Sequence, residues 1–437
     1  MKNNKTYFIY PVACLIIFFS PIFSVAGYCQ TINKSGAIEK CFIVSDIHFN
    51  PLYGASKDTS LKRKLQKASF EEWKKYFEST PAQATINKTL LFQDANYAIL
   101  KSALTNMEAK LPHPAFIIIA GDFIWHNATI SDSILKRKSI QFIARLFKEH
   151  FPGVAIIPAM GNNDTYGNDY DIQDSRFLND FANAWSPNLP KASAAELKAN
   201  GYYTTTKGNL KLVVINSAFL YSGTNYPQAA TMLSWVQNNL ANTHGKYVWI
   251  ISHIPPGING YNSTNFWNAD YTQTFVNDVI KYSSIVKFGI ASHTHFNDFK
   301  VFYDASQTPV SFMRIAPSIC ANHGNNPSFE VAEFDASSGK IVHETNYYLN
   351  LTVIPKEKSV TQAEWNNTFS LPKSLEMEKI DASSFSKLLN DIKNDQTNRL
   401  LCKYTRFYSV GTSTDSPKTI NRPVMLKYLQ TDSLKGN

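Results

Sequence analysis

Five short apolar runs in the first 300 residues each end in polar side chains that can bind a metal ion. The runs and the motifs that follow them are 41–44 before Asp46-Ile47-His48, 115–120 before Gly121-Asp122, 154–160 before Gly161-Asn162-Asn163-Asp164, 247–252 before His253, and 285–292 before His293-Thr294-His295. Runs of this length predict buried strands. Because open α/β sheets assemble their sites at the carboxyl ends of strands, the pattern predicts one site built from all five.

Amphipathic segments separate these strands and predict a layer of helices. The predicted helices cover about residues 94–111, with Asp94 as the cap, and then 133–150, 175–184, 228–239 and 271–282. Further strands are predicted near residues 202–206, 210–216, 299–304, 309–316, 329–335 and 340–349. This alternation predicts an α+β or α/β four-layer fold, with two packed mixed β-sheets flanked by helices.

Two segments fall outside this alternation. Residues 54–87 are polar and basic around a few aromatic side chains, which is typical of a solvated helical insertion; a lid that meets an anionic substrate is the alternative. After about residue 350 the strand pattern stops, and residues 382–404 are predicted to be helical. We therefore divide the chain into an N-terminal segment, 1–26, a main domain, 27–350, and a mainly helical C-terminal extension, 351–437.

The N-terminal segment has the order of a secretory signal peptide. Lys2 and Lys5 precede an apolar stretch over residues 7–25, which ends in small side chains before a predicted cut near Ala26. An uncleaved anchor is the alternative, but prolines interrupt the stretch. No later run approaches the ~20 apolar residues needed to span a bilayer. We expect cleavage and a secreted, periplasmic or lumenal protein.

The chain is mildly basic. Its formal net charge is +9, and loss of residues 1–26 removes two lysines and leaves +7. Because no basic helix or basic and aromatic repeat accompanies this charge, we expect help with anionic ligands and no nucleic acid polymer as a partner. Four cysteines follow the predicted cut, Cys29, Cys41, Cys320 and Cys402, and in an exported chain they allow two disulfides in three pairings, which the sequence leaves open.

The motifs in this order, D-x-H, G-D, G-N-N-D, H and H-T-H, resemble those of the calcineurin-like metallophosphoesterases. The resemblance implies two metal ions at the carboxyl edge of a β-sandwich. It assigns Asp46, His48, Asp122 and His295 to one ion and Asp122, Asn162, His253 and His293 to the other, with Asp122 as the bridge.

These residue types suit a pair of divalent cations. A carboxylate can give one oxygen to each of two ions, imidazole binds Zn²⁺, Fe or Mn, and an Asn side chain adds a neutral oxygen. Two such ions with two carboxylates and a bridging hydroxide keep a net positive charge that attracts phosphate oxygens. We expect two Zn²⁺ ions, with Fe and Mn as the alternatives.

A closer resemblance, from about Cys41 to the C terminus, is to the acid sphingomyelinase-like phosphodiesterases. It is carried by residues 45–53, Gly121-Asp122-x-x-x-His126, 151–162, 251–257, 293–304 and 316–329. That family usually carries G-N-H-[DE], where the His approaches the leaving-group oxygen, and G-H-T-H; this chain has Asn163 and Ser292 at those places. The resemblance therefore leaves His126 to protonate the leaving group, unless the leaving group is already a weak base and needs no proton. His323, in the loop 322–326, is a candidate substrate contact by analogy with other loops that line sites.

The resemblance implies an exported phosphodiesterase in which a hydroxide between two metals attacks a phosphodiester of sphingomyelin or nucleotide type. We expect a small-molecule or lipid phosphodiester as substrate, peripheral membrane contact if it is a lipid, and no obligate protein partner. Few residues lie between the predicted cut and Cys41, so we expect no saposin-like lipid-extracting domain, and water-soluble phosphodiesters are at least as well suited. The alternative, suggested by Asn163, is a metal-binding homologue that binds phosphodiesters without cleaving them.

Overall fold

A computed structural model describes residues 1–3, 36–172, 174–260, 262–355, 363–430 and 433–436. Cys29 and the predicted signal peptide after its third residue lie outside the described residues. The chain divides into Met1–Ser35 and Gly36–Asn437, and all the elements below belong to the second unit.

Helices and strands alternate over most of this unit. The helices are α1 Thr59–Lys67, α2 Phe70–Ser79, α3 Pro81–Ala84, α4 Tyr97–Lys110, α5 Ser133–His150, α6 Ser175–Trp185, α7 Lys191–Asn200, α8 Gln228–Ala241, α9 Ala269–Lys281, α10 Ala382–Asn394, α11 Arg399–Tyr408 and α12 Arg422–Gln430. The strands are β1 Ile38–Val44, β2 Ile117–Ile119, β3 Ile156–Pro158, β4 Tyr203–Lys207, β5 Leu210–Val214, β6 Tyr247–Ile251, β7 Val286–Ala291, β8 Asp298–Tyr303, β9 Pro309–Ile315, β10 Ser328–Asp335, β11 Ile341–Tyr348, β12 Asn367–Leu371 and β13 Ser433–Lys435.

The strands form two mixed sheets, which confirms the predicted fold class. One sheet has the order β12-β11-β10-β1-β2-β3, and the other has the order β13-β8-β9-β7-β6-β5-β4. The strands that precede the five motifs are parallel within each sheet, β1 with β2 and β3, and β6 with β7. Parallel strands end at the same edge of a sheet, so each sheet brings its own motifs to one edge.

Large aromatic side chains fill the space between the sheets. Trp249 on β6 is fully buried, and its ring lies 5.1 Å from Phe334 on β10 and 5.9 Å from Phe116, which precedes β2. The indole N–H of Trp249 donates to the carbonyl of Gly339 at 2.7 Å, so its one polar atom is satisfied. Such rings contribute about 0.5–1.5 kcal/mol per pair beyond the area that they bury, and they hold the two sheets in a fixed relation.

Some local expectations were wrong. Helix α4 begins three residues later than predicted, and its cap is Asn96, whose side chain accepts from the N–H of Ile99; Asp94 lies outside the helix. Helix α7 was not predicted. The segment 54–87 is helical, as predicted, and forms α1, α2 and α3. The predicted helix over 382–404 is two helices, α10 and α11.

The C-terminal segment contributes a strand to each of the two sheets. β12 pairs with β11 and β13 pairs with β8, so this segment adds an outer strand to each sheet. The division of the chain at residue 350 stays a prediction. Among the described residues, the three cysteines Cys41, Cys320 and Cys402 are buried free thiols, and none of the helices has both the length and the hydropathy needed to cross a membrane.

Candidate metal centre

The carboxylate of Asp122 lies at the centre of a buried cluster. Its Oδ2 lies 3.5 Å from Nε2 of His48 and 3.1 Å from Nε2 of His253. Asp122 follows β2, His48 follows β1 and His253 follows β6, so residues from both sheets meet at this carboxylate. A carboxylate placed between two imidazoles can face two cations at once.

The second carboxylate, that of Asp46, lies beside the first. Its Oδ1 is 3.4 Å from Nε2 of His295, 3.8 Å from Nε2 of His48 and 4.0 Å from Nε2 of His253. The backbone N–H of His293 donates to the other oxygen of Asp46 at 3.3 Å. Asp46 therefore ties the loop after β1 to the H-T-H loop after β7.

The last two predicted ligands, Asn162 and His293, lie close to His253. Oδ1 of Asn162 is 3.0 Å and Nδ1 of His293 is 3.3 Å from Nε2 of His253. The structure thus brings all seven predicted ligands into one cluster, although their roles as ligands stay a prediction. In each of three groups of residues, one donor atom per residue lies within 4.8 Å of the others. The groups are His48 with His126 and His295, Asp122 with His253 and His293, and Asp46 with His48 and Asp122.

Backbone carbonyls orient two of the imidazoles. Nδ1 of His48 lies 2.8 Å from the carbonyl oxygen of Ile124, and Nδ1 of His253 lies 2.8 Å from that of Ala120. A carbonyl can only accept, so each Nδ1 carries a proton and Nε2 faces the cluster. This arrangement is the usual way in which a protein fixes the tautomer of a metal-binding histidine.

Two observations indicate that these residues are suited to divalent cations. Oδ1 of Asp46 and Nε2 of His48 are buried and have no hydrogen-bond partner among the described residues, which is costly unless another group binds them. Donor atoms that share a tetrahedral Zn²⁺ at about 2.0–2.2 Å lie roughly 3.3–3.6 Å from one another. The distances of 3.1–4.0 Å around the two carboxylates are close to this spacing.

The electrostatics of the cluster also favour cations. Burial alone would lower the pKa values of His48 and His253, yet the carboxylates of Asp46 and Asp122 outweigh burial and raise both to about 9. Burial and the charge of His253 lower the pKa of His293 to about 3. The two buried aspartates thus draw positive charge into the cluster, which is what a pair of metal ions would supply.

Asn163 holds the central carboxylate. Its backbone N–H donates to Oδ1 of Asp122 and its side-chain amide donates to Oδ2, both at 2.9 Å. Asp164, the next residue, accepts from the backbone N–H groups of Gly161, Asp122 and Phe123 at 2.8–2.9 Å. The G-N-N-D loop therefore fixes the loop that carries Asp122.

Sequence reasoning missed a group of supporting residues. Asn162 donates to the carboxylate of Asp169 at 2.7 Å, which turns its Oδ1 toward the cluster. The hydroxyl of Tyr170 lies 3.2 Å from Nε2 of His293, and Sγ of Cys320 lies 3.4 Å from Nδ1 of His295. No sequence motif marks these residues. Tyr170 is 123 residues from His293 and Cys320 is 25 residues from His295. Asp169 is only seven residues from Asn162, but it lies outside the G-N-N-D motif.

The predicted proton donor lies at one edge of the cluster. The ring of His126 stacks on that of His48, with centroids 3.9 Å apart, and its Nδ1 lies 2.6 Å from Oδ1 of Asp94. Asp94 also accepts from Asn322 at 2.9 Å and so holds both residues. The ring of His323 is centred 4.1 Å from that of His295, so it reaches the cluster, and its contact with substrate stays a prediction.

Comparisons with known proteins agree with this geometry. The family model of the calcineurin-like phosphoesterases matches residues 40–297. Sphingomyelinase phosphodiesterase C of Dictyostelium discoideum is 26% identical over 402 residues, 85% of each chain. Acid sphingomyelinase-like phosphodiesterase 3b of Mus musculus is 24% identical and covers 84% of this chain and 82% of its own. Cyclic GMP-AMP phosphodiesterase SMPDL3A of Bos taurus is 24% identical, covering 73% and 74%.

These matches confirm the resemblance inferred from the motifs and the predicted class of enzyme, a phosphodiester hydrolase. The family match covers more than half of the chain and includes all five motifs. The chain belongs to the calcineurin-like phosphoesterase family.

Proposed function

We propose that this protein is an exported phosphodiesterase that hydrolyses a small-molecule or lipid phosphodiester with the help of two divalent metal ions. The observation that carries the proposal is the cluster around Asp122 and Asp46. Its carboxylate and imidazole atoms lie at the spacing of metal ligands, and Oδ1 of Asp46 and Nε2 of His48 are buried without a hydrogen-bond partner among the described residues. We further propose Zn²⁺ as the resident ion, with Fe or Mn as alternatives, since imidazole suits all three.

The residues have separate tasks in this proposal. Ions bound there would supply an activated water and hold the oxygens of the phosphate. Asp122 would face both ions, and Asn163 keeps its two oxygens in place by donating two hydrogen bonds. Asn163 cannot act as an acid, so His126, oriented by Asp94, is the group that gives a proton to the departing oxygen.

Several further points belong to the proposal. The relatives are named for sphingomyelin and for cyclic GMP-AMP, and both types of phosphodiester are candidate substrates here. A lipid substrate would bring the protein to a membrane surface. Cleavage near Ala26 would release the catalytic domain, with its C-terminal extension, outside the cytoplasm.

The test is hydrolysis of bis(p-nitrophenyl) phosphate, combined with metal analysis of the same sample. The metal-loaded protein should contain about two ions per chain and release p-nitrophenolate, and a chelator should abolish both. Asp122→Asn should lose metal and activity. His244→Ala, at an exposed histidine between α8 and β6, is the control and should change neither. Full turnover after metal removal would refute the proposal.

The alternative is a binding protein that holds metals without catalysis, and it is favoured only by Asn163. That protein would carry about two ions per chain, bind phosphodiesters and fail to cleave bis(p-nitrophenyl) phosphate. Because p-nitrophenolate leaves without a proton, loss of an acid cannot explain such a failure. The same experiment therefore separates the two functions.

A further inference from the structure

A cavity of about 560 Å³ opens beside the metal cluster, on the side of His126. Its walls include Asn50, Phe92, Gln93, Trp125, Asn127 and Asn322. His126 and Asp94 also line it, so the proposed proton donor faces the cavity. The group of the substrate that receives this proton is the one that leaves, and the cavity therefore lies where the leaving arm of a phosphodiester would lie.

The lining of the cavity is polar but has little unpaired charge. Lys62 pairs with Asp132, and Asp94 pairs with His126. The remaining polar groups are mostly side-chain amides, which both donate and accept hydrogen bonds. An acyl chain in this space would desolvate those amides without replacing their hydrogen bonds, which is unfavourable. A highly charged arm would find no free counter-charge, so the lining favours a neutral, polar arm.

Phe92 adds an aromatic surface at the mouth of this cavity. The residue is 67% exposed, which is unusual for Phe, and its backbone has φ +65°, a conformation that bulky residues rarely adopt. The N–H of Phe92 donates to the carbonyl of Ala321 at 2.8 Å and holds this conformation. A Cβ at Gly324 would lie 2.5 Å from the ring, so a larger residue at that position would have to displace the ring. Strain kept at an exposed aromatic residue points to a ligand contact.

We infer that this cavity is the subsite for the leaving arm and that it takes a nucleoside, with the base stacked on Phe92 and its polar edge bonded to the amides of Gln93 and Asn127. Both amides are on exposed residues that line the cavity. Base stacking on an aromatic side chain tolerates any base, and the amides match the donors and acceptors on a base edge. The inference rests on the proposed function, because it requires hydrolysis of a phosphodiester.

Adenosine 5′-methyl phosphate tests the inference directly, because its two arms are alcohols of similar basicity. Water attacks phosphorus and one P–O bond breaks. If the P–O5′ bond breaks, the proton goes to O5′ and the products are adenosine and methyl phosphate. If the bond to the methoxy oxygen breaks, the products are AMP and methanol. We expect metal-loaded full-length protein to release adenosine, measured by chromatography, and to prefer this substrate over dodecyl methyl phosphate by at least about tenfold in kcat/KM.

Two variants and a control sharpen the test. Phe92→Ala should lower the preference for the adenosyl over the dodecyl substrate about tenfold, and Gln93→Ala about 3- to 10-fold. Asn238→Ala, which removes an exposed amide on α8 far along the chain from the cavity, should leave the preference unchanged.

Three results would overturn the inference, namely release of AMP and methanol, faster cleavage of the dodecyl substrate, or an unchanged preference in both variants. In each of them bis(p-nitrophenyl) phosphate would still be cleaved, and the proposed function would stand. If none of the three phosphodiesters were cleaved, the proposed function would fail and the inference with it.

Discussion

Five residues of the candidate metal centre have left-handed backbone conformations. They are Asp46, His48, Asp122, His293 and His295, with φ between 41° and 74°. Such conformations are uncommon outside glycine and cost on the order of 1–3 kcal/mol each. The surrounding hydrogen bonds must hold them. The N–H group of Asp46 donates to the carbonyl of Gly121, and that of His48 donates to the carbonyl of Asp122. These hydrogen bonds fix the loops that carry the converging side chains, which suits a preorganised site.

Replacement of Asn163 by His tests the role of the lost proton donor. We expect Asn163→His to raise kcat/KM for alkyl phosphodiesters at least about tenfold, since general acid catalysis contributes about 10²–10⁴-fold. Cleavage of p-nitrophenyl esters should not improve, because that leaving group needs no proton. The variant loses the hydrogen bond from the side-chain amide of Asn163 to Asp122, so Asn163→Ala is the control for that loss. Equal gains on both types of ester would contradict the prediction.

Asp169 is expected to act on the metal through Asn162. Asp169→Asn replaces the carboxylate that accepts from the Asn162 amide at 2.7 Å, and Asn162 can then turn its Oδ1 away. We expect metal affinity at one of the two positions to fall about 10- to 100-fold, while the other position stays filled. Titration of the metal-free protein with Zn²⁺, followed by calorimetry, measures this. Asp304→Asn, on the loop after β8, is the control; equal loss at both positions would contradict a local role.

At the scale of elements, the loops after β2 and β3 need glycine because they lie against each other. A Cβ at Gly161 would lie 2.1 Å from Oδ1 of Asp122, and one at Gly121 would lie 2.7 Å from Nδ1 of His253. The backbone therefore approaches the ligands more closely than any side chain would allow. This explains why Gly precedes the polar residue in two of the five motifs.

Gly161→Ala should disturb the metal centre more than the fold. The added methyl group must displace the Asp122 carboxylate, so we expect loss of at least one metal ion per chain and a fall in bis(p-nitrophenyl) phosphate turnover of 100-fold or more, with destabilisation of about 1–3 kcal/mol. Gly245→Ala is the control, since nothing lies within 4 Å of its Cβ position and only the cost of its φ of +64° remains. Metal analysis and thermal unfolding of both variants give the comparison.

The strand ends could be predicted because buried strands are apolar on both faces, and the motif begins where that pattern stops. Helix α5, Ser133–His150, lies where a helix was predicted at about residues 133–150. The Asp94–His126 pair could not be predicted, because 32 residues separate its members and only the tertiary fold brings the two loops together. Strands β12 and β13 are short and lie at the outer positions of the sheets, so their residues carry weak alternation.

At the scale of the whole molecule, the candidate metal centre joins the two sheets. Asp46, Asp122 and Asn162 follow strands of one sheet, and His253 and His293 follow strands of the other. Ions held between them would therefore link the sheets at one edge, in the way that a ligand specific for the folded state stabilises it.

Metal removal should lower the stability of the whole domain. We expect a chelator to reduce Tm by about 5 °C or more, since each of the two ions adds about 2.7 kcal/mol at 100 times its Kd. Asp122→Asn should begin at the lower Tm and show no further fall with the chelator. Differential scanning calorimetry gives both values, and an equal fall in the variant would mean that the chelator acts elsewhere.

A second buried charge group lies between the sheets and should make stability depend on pH. Arg314 on β9 contacts Glu330 on β10 at 3.2 Å and Glu344 on β11 at 2.8 Å, and each is at most 2% exposed. Burial, which the charge of Arg314 only partly offsets, and the repulsion of Glu344 raise the pKa of Glu330 from 4.5 to about 8. One guanidinium thus faces two carboxyl groups, and Glu330 keeps its proton at neutral pH.

Between pH 4.5 and about 8, the folded protein therefore keeps a proton on Glu330 that the unfolded chain has already lost. Unfolding releases this proton, so the stability that it contributes is complete below pH 4.5 and is lost as the pH rises to about 8. We expect Glu330→Gln, which mimics the protonated acid, to flatten the fall in the free energy of unfolding across this window by at least about 1 kcal/mol. Glu378→Gln, at an exposed position, should keep the wild-type slope. Urea unfolding at pH 5, 6.5 and 8 measures the slopes, and a wild-type slope in Glu330→Gln would assign the buried proton to another group.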